Sequence, residues 1–305
     1  MLSRNKIISL RKGIYMGKKK VGILAECVCD LPKNILNKYG VDMLYFLVET
    51  ESGVFTDSDE ITAENVIYYL ENDGGKTKSS PPPSDVYYRA FVKNLKRYDE
   101  IILVAISSGI SASCKNAREA VSIMGAEGKR VHIFDSQHLS TGLGFLVLRA
   151  AEMANAGQEC EEILAELEEM KKRISTSFIA KNANYLCRNG RVSSFVKNIC
   201  TAFNIHPVLA MRNGTLHIKN IIFGNYDSAC KSYIRSELKG KKDIDERCGF
   251  ITHAGCSIKM LRSITSEAEK YFHFDELKVT NASATVTCNC GSNAFGILYV
   301  KKDTE

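Results

Sequence analysis

The sequence predicts an α/β protein of two domains, a parallel α/β sheet followed by an α+β unit. Three observations carry that expectation. Strand and helix patterns alternate from Val21 to about Asn155, as a parallel sheet with right-handed crossovers requires. Ile101 to Ile106 is an unbroken apolar run rich in β-branched residues, the mark of a strand buried on both faces. Beyond Gly157 the pattern shifts to short strands, two of them joined by the hairpin signal Asn213-Gly214.

In chain order, Val21 to Ala25 reads as the first strand, and Asp30-Leu31-Pro32 as a helix start capped by Asp30. Met43 to Val48 reads as a second strand, and Glu49 to Asp59 as a polar turn. Thr62 caps a helix through Leu70, which Asn72 to Lys76 breaks. Pro81-Pro82-Pro83 stiffens an extended loop that holds Ser79 and Ser80 in place, and Ser84 opens the next helix. The run Ile101 to Ile106 stops at Ser107-Ser108-Gly109-Ile110-Ser111, and Ala112, Ala117, Ala120, Val121 and Met124 then recur at helical spacing. Val131 to Phe134 is a further strand, after which Gly142 and Gly144 permit close helix packing. The stripe Cys160, Ile163, Leu164, Leu167 and Met170 marks an amphipathic helix. Phe178-Ile179, Val208 to Met211, Leu216 to Ile218, Ile221 to Phe223, Phe250 to Ala254, Leu277 to Ala282 and Phe295 to Val300 read as strands. The expected segments are a basic arm 1–20, an N-terminal domain 21–157 and a C-terminal domain 158–305.

Composition narrows the function classes. The 305 residues carry a net charge of +6 with 25% charged and 45% apolar residues, ordinary for a globular protein and no nucleic-acid footprint. No apolar run approaches the roughly 20 residues of a membrane span. Met1 to Lys20 lacks the apolar core of a signal peptide, so the eleven cysteines read as reduced thiols in the cytoplasm.

No Gly-x-Ser-x-Gly elbow, lysine-bearing phosphate loop or His-Glu-x-x-His helix is present. His206, His217, His253 and His273 lack partners that would make them catalytic. Cys27/Cys29 and Cys288/Cys290 are too closely spaced for the usual structural zinc pattern, and no metal is expected. Two hydroxyl-rich turns stand out instead. Ser111 is placed to cap the helix after the central strand, where a helix N-terminus and Ser107 to Ser111 offer donors to one anion. Ser79, upstream, offers a second hydroxyl. Cys187-Arg188-Asn189-Gly190-Arg191-Val192-Ser193 sets two guanidinium groups around a glycine turn, suited to docking a phosphate or an acidic surface.

These motifs together resemble the DegV family, including the fatty-acid-binding subunits of bacterial fatty acid kinase, over about Lys20 to Lys301. The family's Thr-Asp-Ser-Thr-Ala-Asp-Leu-Pro is similar to Ala25-Glu26-Cys27-Val28-Cys29-Asp30-Leu31-Pro32, and its Lys-Thr-Ser-Gln-Pro-Ser loop to Lys78-Ser79-Ser80-Pro81-Pro82-Pro83. Its Ile-Ser-Ser-x-Leu-Ser-Gly-Thr turn resembles Ile106-Ser107-Ser108-Gly109-Ile110-Ser111-Ala112-Ser113. Asp135-Ser136 with Ser140-Thr141-Gly142-Leu143-Gly144, and Asn189-Gly190-Arg191-Val192-Ser193, match two further elements. The late His-Thr-Gly-Pro-Gly resembles Asn289-Cys290-Gly291-Ser292-Asn293, with Asn289 in place of the histidine. Asparagine hydrogen-bonds but carries no proton, so this departure bears on acyl-phosphate formation more than on lipid binding.

The resemblance implies a two-domain DegV-like (EDD) fold with an acyl chain buried between and within the domains. It implies a fatty-acid carboxylate held by Ser79 and Ser111, with Ser80, Ser108, Gly109 and Asn289 around it. Arg191, with Arg188, would dock a kinase that supplies ATP, and the chain itself would not be the catalyst. The expected ligand is a long-chain fatty acid, with no other cofactor; a kinase subunit, phospholipid metabolism and a transient membrane-surface contact are the partner expectations. Two further readings stay open: a stand-alone lipid carrier or sensor, in one form with a thiol or metal switch, and a small-molecule enzyme using the Ser107–Ser111 turn as a phosphate cradle.

Overall fold

The structure is a computed structural model that describes residues 19–72, 75–181, 184–190 and 204–303. Its first half runs β1 (Lys19–Glu26), α1 (Lys33–Tyr39), β2 (Asp42–Leu44), β3 (Leu47–Thr50), β4 (Gly53–Thr56), α2 (Ala63–Asn72), β5 (Lys78–Ser80), α3 (Ser84–Leu95), β6 (Tyr98–Ala105), α4 (Ser113–Ser122), β7 (Val131–Asp135) and α5 (Ser140–Asn155). Its second half runs α6 (Cys160–Arg173), β8 (Ile174–Ile179), α7 (Asn184–Arg188), β9 (Ile205–Arg212), β10 (Thr215–Phe223), α8 (Tyr226–Leu238), β11 (Ile244–His253), α9 (Ile258–Glu269), β12 (Leu277–Asn281), α10 (Ala284–Cys290) and β13 (Phe295–Lys301).

Three sheets organise these elements. The first is fully parallel, in the order β2-β1-β6-β7. Ile101 to Ala105 in its centre is entirely buried, because α3 and α4 cover one face while α5 and α6 cover the other. The second sheet, β10-β9-β8-β13-β11-β12, is antiparallel apart from the β11–β12 pair. Asn213 and Gly214 both have positive φ and close the β9–β10 hairpin. A bulge between Ile218 and Asn220 lets β10 run on through Phe223 as one strand, where the sequence pattern suggests two.

The third sheet, β4-β3-β5, departs from expectation. Met43 to Val48 is not one strand. The chain leaves the parallel sheet after Leu44, buries Phe46, and enters a hairpin whose outer strand lies within the supposed polar turn. The Phe46 N–H donates to Cys27 Sγ at 3.3 Å, which pins this crossing. Antiparallel pairing of β3 with β5 sets Val48 against Ser79. The triproline loop therefore follows a short strand, and that strand orients Ser79 inward and Ser80 outward.

The largest apolar core joins both halves of the chain, from Val21 and Val104 through Ile163 to Phe250 and Leu298, so packing is continuous across the 157–158 junction. Gly142 and Gly144 sit at that seam. A Cβ on Gly142 would overlap the Thr176 hydroxyl, and one on Gly144 would meet the Cys29 carbonyl oxygen at 2.9 Å. Cys27, Cys29, Cys114, Cys160, Cys230, Cys248, Cys256, Cys288 and Cys290 are free thiols. No helix among the described residues is long and apolar enough to cross a membrane.

Candidate functional site

A cavity lies where the carboxyl end of the parallel sheet meets the second sheet and α10. Its volume is about 90 Å³, below the range of about 300–1,000 Å³ usual for sites that take drug-sized ligands. Phe46, Ile106, Ile110, Leu139, Phe178 and Leu298 make its walls predominantly apolar. Ser79 and Ser111, thirty-two positions apart in the chain, both line it, and so does Asn289.

Each of the two serines is engaged on its acceptor side. Ser79, 7% exposed, accepts from Asn289 Nδ2 at 3.0 Å. Asn289 Nδ2 also donates to the Thr285 carbonyl oxygen at 2.7 Å, one turn back along α10. Ser111 Oγ accepts from the Ser113 backbone N–H at 3.2 Å. A hydroxyl has one proton to donate and two lone pairs, so both serines retain the donor an anion needs. Ser111 is not the N-cap expected from the sequence. That position is Ala112, and Ser111 bonds the first residue of α4 from one place further out.

Buried carboxylates hold the surrounding turns. Glu26, at the end of β1, is fully buried. It accepts from Tyr87 Oη at 2.5 Å, from the Ile106 N–H at 2.9 Å and from Ser113 Oγ. Burial raises its carboxyl above the ordinary range against these donors. Asp30 is not the N-cap of α1; that position is Pro32. It instead accepts from Ser140 Oγ at 2.6 Å and the Ser283 N–H at 2.8 Å, and burial pushes its carboxyl up to about 7. Asp57 accepts from the Ala284 and Thr285 N–H groups at 2.9 and 2.8 Å. Two aspartates remote in sequence therefore seat the start of α10, the helix that carries Asn289.

Other expected site residues lie elsewhere. Ser80 is exposed on β5 and does not line the cavity, because strand alternation turns it away from Ser79. Ser108 is exposed, and its N–H (3.1 Å) and hydroxyl are both taken by Asp135. Gly109 packs against the second sheet, where a Cβ would overlap the Gly214 carbonyl oxygen. Arg188 is exposed at the end of α7, and Arg191 lies outside the described residues. His253 lines the cavity with Nδ1 accepting the Cys256 N–H at 3.3 Å, and burial lowers its pKa.

Cys27, Cys29, Cys288 and Cys290 are all buried, and no metal-ligating group among the described residues includes any of them. Among those residues one mixed group has metal-ligand spacing, Glu100 with His132 and Cys160, and it is remote from the cavity lining. Next to the cavity is a polar cleft that shares Ser79 and Asn289 with it. Lys76, Lys78 and Arg188 line this cleft together with Glu49 and Glu51.

Comparison with known proteins places this fold among relatives. The DegV family model matches residues 20–302. A DegV domain-containing protein of Staphylococcus aureus is 24% identical over 283 residues, 92% of this chain and 98% of that protein. One from Caldanaerobacter subterraneus is 26% identical over 288 residues, 93% of this chain and all of that protein. Among solved structures, a DegV family protein of Thermus thermophilus described for its fatty acid binding superposes with a TM-score of 0.81 at 22% identity, covering 92% and 99% of the two chains. DegV of Bacillus subtilis, described as a fatty acid binding protein, gives 0.78 at 22% identity over 93% and 100%. A DegV family protein of Eubacterium eligens loaded with heptadecanoic acid gives 0.80 at 18% identity over 93% and 100%. These superpositions show a common fold.

Proposed function

This chain belongs to the DegV family, and from that membership and the cavity we propose that it binds a long-chain fatty acid with its carboxylate between Ser79 and Ser111. The observation that carries the reading is the meeting of those two serines in one apolar cavity, each with its oxygen already accepting a protein hydrogen bond. Among the described residues neither hydroxyl donates to a protein acceptor, so both protons are left to serve a bound anion. The fatty acid binding described for the Thermus thermophilus and Bacillus subtilis proteins, and the heptadecanoic acid loaded into the Eubacterium eligens protein, support the same ligand class.

Magnitudes favour a tail-driven site with a neutral cradle. Burying about ten methylenes at roughly 0.8 kcal/mol each contributes about 8 kcal/mol before association costs, comparable with the roughly 8 kcal/mol of a micromolar complex. Hydrogen bonds to a charged group add about 1.5–3 kcal/mol each. Two hydroxyls suffice to fix the head group, and a carboxylate held without a permanent salt bridge keeps its nucleophilic oxygen.

The proposal extends to a partner: a separate kinase phosphorylates the bound acid, and this chain presents it. The polar cleft supports that extension, since it opens on Ser79 and Asn289 and carries Lys76, Lys78 and Arg188, which suit a phosphoryl donor. Mass spectrometry of small molecules extracted from the purified protein tests the ligand. Long-chain fatty acids in near-stoichiometric amount are expected; extracts without any lipid, from protein that also fails to bind added fatty acid, would overturn the reading.

A further inference from the structure

We propose that Glu100, His132 and Cys160 form a site for one zinc ion, with solvent in the fourth position. They are far apart in sequence, and no short motif announces them. Among the described residues they are the only group of three or more His, Cys, Asp or Glu whose ligand atoms converge. A Glu100 carboxylate oxygen, a His132 ring nitrogen and Cys160 Sγ all lie within 4.8 Å of one another.

Strand register explains the meeting. His132 pairs with Ile102 between β6 and β7, and Glu100, two residues before Ile102, points to the same face of the sheet. Cys160 opens α6 on that face, within the core that Val21, Ile102 and Ile163 share. A capping box of Glu159 and Glu162 fixes the start of α6, and an ion pair joins Glu159 to Lys20 of β1. The group stands at the amino-terminal end of β6 and β7, away from the cavity at their carboxyl end. The proposal is therefore independent of the fatty-acid reading.

Thiolate, imidazole and carboxylate are the donor types that zinc takes, and three protein ligands leave one corner of a tetrahedron for water. Zn–N and Zn–O bonds of about 2.0–2.1 Å and a Zn–S bond of about 2.3 Å set neighbouring donors about 3.3–3.6 Å apart. His132 Nε2 and Glu100 Oε1 are 2.9 Å apart, and no pair in the group exceeds 4.8 Å, so side-chain shifts of about 1 Å close the set. The ion takes the place of the hydrogen that His132 and Glu100 share, the imidazole keeping its proton on Nδ1, and the Cys160 thiol proton passes to solvent. One thiolate and one carboxylate then neutralise the ion's two charges, which lowers the cost of holding it beside the core. The first turn of α6 favours the thiolate as well. The His132 and Glu100 side chains are 29% and 38% exposed, whereas Cys160 is buried, so the ion enters past the two partly open groups. Bound there, it ties β6 and the edge strand β7 to α6, the first helix past the 157–158 junction.

Cobalt(II) accepts the same ligands as zinc and reports a bound thiolate through a charge-transfer absorption band. Titrated into the full chain, treated with a chelator and kept reduced, it tests the site. About one equivalent should produce the band, and added zinc should remove it by displacing the cobalt. Cys160→Ser should abolish the band, while Cys248→Ser, at a half-buried thiol outside the group, should keep it. His132→Ala and Glu100→Gln should each weaken cobalt at least about tenfold, since losing even an outer partner of a metal ligand costs about 10–100-fold. Should Cys160→Ser fail to fold, these two variants at partly exposed positions decide the matter. The proposal is overturned by a wild-type chain that gives no band, or by a band that zinc does not displace. It is overturned equally by a band that survives in Cys160→Ser, or by unchanged cobalt affinity in either His132→Ala or Glu100→Gln.

Discussion

Asn289 donates to the Ser79 hydroxyl at 3.0 Å, joining β5 to α10 across 210 positions of sequence. The bond fills one lone pair of Ser79 and sets the direction in which its proton points. Replacing Asn289 with alanine frees that hydroxyl to rotate, so fatty-acid affinity should fall about three- to tenfold with little change in stability. Calorimetric titration of the variant against wild type checks this, and equal affinities would contradict it.

Asp57 holds two backbone N–H groups at the start of α10. In Asp57→Ala both are left buried without an acceptor, at about 1–3 kcal/mol each. Urea denaturation should show a loss of about 3–5 kcal/mol. A loss below 1 kcal/mol would mean that the helix start is satisfied in another way.

Asp30 imposes a pH dependence of definite sign. Its folded-state pKa is raised from 3.8 to about 7, chiefly by burial, so between those values the folded state holds the extra proton. Its contribution to stability is complete below about pH 4 and is lost as pH rises through about 7. Glu26 acts in the same direction. His138, lowered to about 4 by burial, acts in the opposite one, so the comparison that isolates Asp30 is with Asp30→Asn. Relative to wild type the variant should gain on the order of 3 kcal/mol between pH 4.5 and 8. A constant difference across that range would contradict the assignment.

Gly109 faces the Gly214 carbonyl oxygen too closely for any Cβ, and Ser107 Oγ donates to that same oxygen at 2.5 Å. Gly109→Ala must therefore shift either the turn that carries Ser111 or the β9–β10 hairpin. A lower melting temperature together with weaker fatty-acid binding is expected. Wild-type values for both would show that the hairpin moves without cost.

Much of this architecture is written locally. The alternation from Val21 to Asn155 and the Asn213-Gly214 turn are periodicity and turn chemistry, and the parallel sheet and hairpin follow them. Ser79 and Ser111 were visible as hydroxyls beside strand ends. What stayed illegible depends on contacts distant in sequence. Phe46 carries the chain out of one sheet into another because Cys27 and the core receive it. Asp30 looks like a helix cap until Ser140 and Ser283 claim its carboxylate. Ser80 and Ser108 look equivalent to their neighbours until strand parity and Asp135 turn them away. Glu100, His132 and Cys160 look unrelated until the β6–β7 register and the start of α6 bring them together.

The pairing of Ser79 with Ser111 is tested most directly by the affinity of the Ser79→Ala, Ser111→Ala double variant for hexadecanoic acid, read beside its methyl ester. Loss of two hydrogen bonds to a carboxylate should weaken the acid at least about a hundredfold while leaving the ester nearly unchanged. Undiminished binding of the acid by a correctly folded double variant would contradict the account.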